Sequence, residues 1–235
     1  MTARKLLIHA IFLALLIAVM ECAILWALVI APADREQGDV QRIFYFHLGS
    51  IWPAFLAFFY VLYGSIAYLV TRKQIFDHRA FVAGQVGLAF GSLVLITGPI
   101  WAKPTWGIWW TWDARLTSML VLWLIFLGYV MLRDYIDDAT KRERLSAILG
   151  IAGGVMVPFV YLSTRWFETQ HPSPVIMGDK ESGIKDPQMV NALLLALAAF
   201  SLLAIYFWRR GIELVHSDAR LQALRRRTLD LEENV

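Results

Sequence analysis

Six runs of about 20 apolar residues divide the 235-residue chain, each long enough to cross a bilayer core as one helix. They cover about residues 6–30, 48–70, 80–102, 116–132, 145–162 and 189–208. In hydrocarbon every backbone N–H and C=O has to be satisfied within the chain, so runs of this length fold as helices. The expected fold is all-α, a polytopic membrane bundle of six transmembrane helices in one domain over 1–235. Composition agrees, with 58% hydrophobic and 17% charged residues where a soluble domain has about half and a quarter. What lies outside the runs is short. The longest pieces are the tail 209–235 and the loop 163–188, too little for an attached catalytic domain. No GxxxxGK[ST] phosphate loop occurs, so the chain carries no NTPase site of that kind.

Charge orients the bundle. Of the 22 Lys and Arg, 15 fall on the side of the two termini and of the loops after the second and fourth runs. The positive-inside rule places that side in the cytoplasm and the loops 31–47, 103–115 and 163–188 outside. The net charge of +3 and pI of about 9.1 therefore belong to cytoplasmic loops, and no nucleic acid partner is expected. The first run is expected to be retained rather than cleaved, since its 25 residues exceed the core of a signal peptide and it carries Glu21. An acid inside a span is a functional candidate by default, and Gln85 or another subunit is its expected partner. Gly87/Gly91 and Gly150/Gly154 have the GxxxG spacing of closely packed helices. Cys22 is the one cysteine, which excludes an internal disulfide and CxxC chemistry.

The chemistry collects on the outer face. Five of the ten tryptophans, Trp101, Trp106, Trp109, Trp110 and Trp112, fall within twelve positions. If that string is helical, Trp106, Trp109, Trp110 and Asp113 follow i, i+3, i+4, i+7 and share a face. Tryptophan favours the membrane–water interface for physical reasons alone, so an aromatic belt is the plain alternative. A belt spreads its rings over all helix ends, whereas five in one loop suggest a flat apolar surface for a planar ligand. His9, His78 and His216 fall in or near cytoplasmic segments, where a solvated or interfacial role is expected. His47 and His171 are both external. Two neutral imidazoles flanking such a platform suit iron held on opposite faces of a porphyrin, the alternative being two unrelated loop histidines. Arg42, Lys103, Arg115 and Arg165 lie near the same boundary, as interfacial anchors or as partners for propionates.

The segment WGIWWTWDARLTS, Trp106 to Ser118, resembles the WWD signature of the haem-handling membrane proteins of cytochrome c maturation. QRIFYFH leading into the second helix, and a histidine after the fifth, are similar to the haem exporter protein C family (CcmC), in order and topology over about residues 36–208. One departure is Gly49, where the family often has proline. The resemblance implies a transport component, not an enzyme, that holds haem b non-covalently at the periplasmic face of the inner membrane. It implies His47 and His171 as axial ligands, and Trp106, Trp109, Trp110, Trp112 and Asp113 as the platform. It also implies delivery to a membrane-anchored haem chaperone. Implied partners are an ATP-binding cassette ATPase with its permease subunit, a small one-helix subunit and the surrounding lipid.

Two other functions use the same features differently. A b-type electron-transfer subunit would hold haem between histidines facing each other inside the bundle, and neither outer histidine is mid-span. A solute permease would build its site near the midplane, where Glu21 lies.

Overall fold

The computed structural model describes residues 3–170, 184 and 186–232. All six expected helices are present, and each is long and apolar enough to cross a membrane. Helix α1 spans Ala3–Leu25 and continues as one π-helical turn, Trp26–Ile30. A 3-10 turn, Asp39–Arg42, leads into α2, Ile43–Thr71. Then come α3, Gln74–Trp106; α4, Ala114–Met131, closed by a 3-10 turn Leu132–Asp134; α5, Ala139–Trp166; and α6, Pro187–Glu232. Most run past the apolar stretches that mark them, because polar helix ends outside hydrocarbon still make i→i−4 bonds. The largest extension is at α6, which continues without a break from residue 208 to Glu232. No strand occurs among the described residues beyond one bridge, Asp34 to Gly38.

Helix α2 is the hub. It packs on α3, α5 and α6, while α4 packs on α5 and α3, and α1 lies against α6. Lipid tails are as apolar as leucine, so close packing rather than the hydrophobic effect holds such helices together. Both glycine pairs serve that end. A Cβ at Gly87 would stand 2.5 Å from Phe58, and one at Gly154 would stand 2.5 Å from the Cβ of Leu62, so α2 side chains fill the notches in α3 and α5. Gly49 admits Phe200 of α6, whose ring would lie 3.1 Å from a Cβ there. Phe58 stacks on Phe126 of α4 at 3.8 Å, and both are fully buried.

The end of the bundle that holds the termini is pinned by charge. Arg133 donates two hydrogen bonds of 2.7 Å to Asp77, and its guanidinium lies 4.4 Å from the centre of the Phe81 ring. Tyr68 and Gln74 donate to the two carboxylate oxygens of Glu143, at 2.6 and 3.2 Å. Together these contacts join α2 and α3 to α4 and α5 at one end and leave the opposite end, which carries His47, to its loops. There Arg42 donates to Ala27 O and Ala31 O at 2.8 and 3.0 Å, satisfying carbonyls at the open end of the π turn.

Candidate functional site

His47 lies in the second turn of α2, because that helix begins at Ile43 rather than at residue 48. It is 4% exposed and faces α3. Its Nδ1 is 2.9 Å from Thr97 Oγ1, and the Thr97 hydroxyl is 2.7 Å from Leu93 O. A hydroxyl has one proton. With that proton given to the carbonyl, Oγ1 accepts from His47, which sets the hydrogen on Nδ1 and the lone pair on Nε2. Gly98 lies beside the ring, and a Cβ there would make an ordinary contact of 3.5 Å with its Cε1. Trp101 meets the imidazole edge-on at 5.9 Å and is held in turn by its Nε1–H, which donates to Gln37 at 2.8 Å.

The tryptophan string is not a helix. α3 stops at Trp106, where Gly107 takes the left-handed conformation (φ 79°) and its N–H bonds Lys103 O. Glycine adopts this geometry without a Cβ penalty, which makes it a common helix terminator. Residues 107–113 are irregular, so the shared helical face expected for Trp106, Trp109, Trp110 and Asp113 does not form. Three of those rings come together by another route. Trp106, Trp109 and Trp110 line one cleft with His47, Trp101 and Arg115. Trp112 and Asp113 do not line it. Trp112 is 77% exposed and meets Trp110 edge-on at 5.9 Å. Asp113 is the N-cap of α4. Its Oδ1 accepts from the N–H of Arg115 and Leu116 at 2.9 and 3.0 Å, and Thr111 donates to its Oδ2 at 2.7 Å.

His171 lies outside the described residues. The chain approaches the site just before it: Gln170 lines a depression of ≈ 420 Å³ that shares Trp101, Thr105 and Trp106 with the surroundings of His47. The His47 cleft encloses only ≈ 40 Å³, far below the roughly 300–1,000 Å³ of a pocket that engulfs a small molecule. The cleft is too small to enclose a ring the size of a tetrapyrrole, and its rim is open, with Trp109 58% exposed. One buried donor waits there: Trp110 Nε1 has no acceptor among the described residues. Such a group in a native structure calls for a ligand, water or partner.

Thr97 carries a part of this site that nothing in the sequence marks, and Trp101, one of the five clustered tryptophans, joins it from within α3. Of the basic residues weighed as propionate partners, Arg115 lines the cleft and donates to Tyr161 O at 3.3 Å. Arg42 is committed to the end of α1, and Lys103 to Gly107 O at 2.8 Å. His9 stacks on Tyr206, and His9, His78 and His216 all belong to the terminal end, away from the tryptophans.

The family described as Heme exporter protein C matches residues 1–227 of this chain. The chain is similar to Heme exporter protein C of Haemophilus influenzae, 34% identical over 220 residues, covering 89% of this chain and 86% of the relative. It is 33% identical over 194 residues to the protein of that name from Escherichia coli K12, covering 80% and 75%. A putative cytochrome c biosynthesis ccmC-like mitochondrial protein of Marchantia polymorpha is 30% identical over 185 residues, covering 79% and 78%.

Proposed function

Because the chain belongs to the haem exporter protein C family, and so takes part in haem handling for cytochrome c maturation, we propose that it holds haem b at the periplasmic face of the inner membrane and delivers it to a haem chaperone. His47 and His171 are the axial ligands. Trp106, Trp109, Trp110 and Trp112 form the surface against which the ring lies, and Asp113 fixes the start of α4 behind them. The observation that carries this reading is the meeting of His47 with three tryptophans of the signature segment at one cleft. The Nδ1–H to Thr97 bond supports it further, since a ligating histidine donates its other N–H to an oxygen that orients the ring. Gln170 at the neighbouring depression supports a ligand from the following residue.

The residues divide the work by chemistry. The imidazoles grip iron reversibly, as a carrier must, and no CxxCH attachment site is present. The indoles set the plane of the ring, and Trp110 Nε1–H and Arg115 can bond carboxylates on its edge. The chain is a transport component, and release is driven by an ATP-binding cassette ATPase with its permease, assisted by a one-helix subunit.

The test is the absorption spectrum of the protein purified from membranes. The wild type should carry a low-spin bis-histidine signature, lost in His47→Ala and in His171→Ala and kept in His9→Ala, His78→Ala and His216→Ala. Added imidazole should refill the vacated position in the two outer variants. An unaltered spectrum in both would end the ligand assignment.

A further inference from the structure

Glu21 stands on the outside of a membrane span with no partner among the described residues. It is exposed midway along the outer half of α1, whose packed face carries Leu16, Ala23 and Ala27 toward α6. At 1.5 Å per residue it lies about 13 Å from the Ile30 end of the span and about 27 Å from Ala3. No hydrogen bond or ion pair engages it among the described residues, and Gln85, also exposed, is not joined to it. The rest of that face is apolar, with Leu7 61%, Ile11 59% and Leu25 51% exposed. Ala10, Ala14 and Ala18 are exposed too, at a four-residue spacing that lets another backbone come close. α1 is also the least buried of the six spans.

Ionisable residues inside a bilayer face a protein partner or a water-filled cavity, because lipid offers a carboxylate no compensation. A second copy of this chain does not meet the need. Between their ends, the outward faces of the described spans carry no Lys, Arg or His, and a two-fold contact along α1 would set Glu21 against itself. We infer that the outward face of α1 is an interface for a membrane-spanning helix of another polypeptide that presents a Lys, Arg or His to Glu21. This surface is separate from the haem site, and its test does not depend on the ligand assignment.

A photo-crosslinking residue placed at Ala18 in the full chain, in its native membranes, reads the contact directly. A control at Val155, on the outward face of α5, reports nonspecific neighbours. Ala18 should give one discrete adduct, mapped by mass spectrometry to a membrane-spanning peptide with a basic residue within one turn of the attachment point. Glu21→Leu should lower that adduct by about tenfold at equal protein level, with the Val155 pattern unchanged. Reversing the charges, Glu21→Lys with an acid at the partner's basic position, should restore it. If Glu21→Leu does not accumulate, Glu21→Gln should lower the yield in the same direction. Adducts with lipid alone, with a second copy of this chain, or with a helix lacking a basic residue would overturn the inference, as would an adduct whose yield ignores Glu21.

Discussion

At the scale of the residue, His47 and Thr97 act as a unit. A hydroxyl 2.9 Å from Nδ1, itself donating to Leu93 O, fixes both the tautomer and the plane of the imidazole. Thr97→Val keeps the shape and removes the acceptor. Haem retention should fall by about 10–100-fold, the usual cost of losing such an orienting partner, while the bis-histidine spectrum stays recognisable. Thr97→Ser should recover most of it. Haem titration of the purified variants checks this, and equal retention in Thr97→Val and wild type would remove the hydroxyl from the site. Asp113 makes a contrasting case, because its contacts are those of a cap. Asn retains the capping oxygen, so Asp113→Asn should change thermal stability in detergent little, whereas Asp113→Ala should cost about 0.5–2 kcal/mol.

At the scale of the element, the proposed function gives the loop between α3 and α4 the task of presenting haem, apart from holding it. An aromatic contact adds roughly 0.5–1.5 kcal/mol beyond area burial, which is a factor of about 2–13 in affinity. Trp109→Ala or Trp110→Ala should therefore keep part of the haem and its spectrum. Transfer to the chaperone should drop steeply, because a ring no longer held flat offers its reacting edge at the wrong distance and angle. Covalent haem on the chaperone, set against haem left on this protein in the same membranes, measures the two separately. Delivery at the wild-type rate would reduce the cluster to an interfacial belt. At the other end, the bidentate Arg133–Asp77 pair joins α4 to α3, with Asp77 3% exposed. Arg133→Met strands a buried carboxylate and should cost about 3–5 kcal/mol, and adding Asp77→Leu should return much of it. Thermal unfolding in detergent reads both.

At the scale of the whole molecule, the six spans set both termini at one end and the His47 cleft at the other. The bias of 15 of 22 basic residues toward the terminal end predicts cytoplasmic termini. With Cys22 replaced by Ala, a cysteine at exposed Ile108 should react with an impermeant maleimide added outside the inner membrane, and one at Ala139 should not. Labelling at Ala139 alone would invert the molecule and move the cleft to the cytoplasm.

The sequence by itself determined the six helices, the tryptophan segment, and His47 as a residue to watch. Those properties are local: transfer into lipid adds residue by residue, so a run of 20 declares its own fate. The N-cap at Asp113 was also within reach, since an acid just ahead of a helical run is a start signal. The loop that breaks the expected face was marked too, by Gly107 directly after Trp106. Only the tertiary structure decided what meets His47. Thr97 is 50 positions away inside an apolar run, where a threonine ordinarily just bonds back to its own helix, and nothing local aims it at a histidine. The same holds for Trp101 and Gln37, for Arg42 turned to the carbonyls at the end of α1, and for Glu21 turned outward. Which face of a span meets protein depends on how six nearly equally apolar helices pack, and hydropathy barely distinguishes those faces.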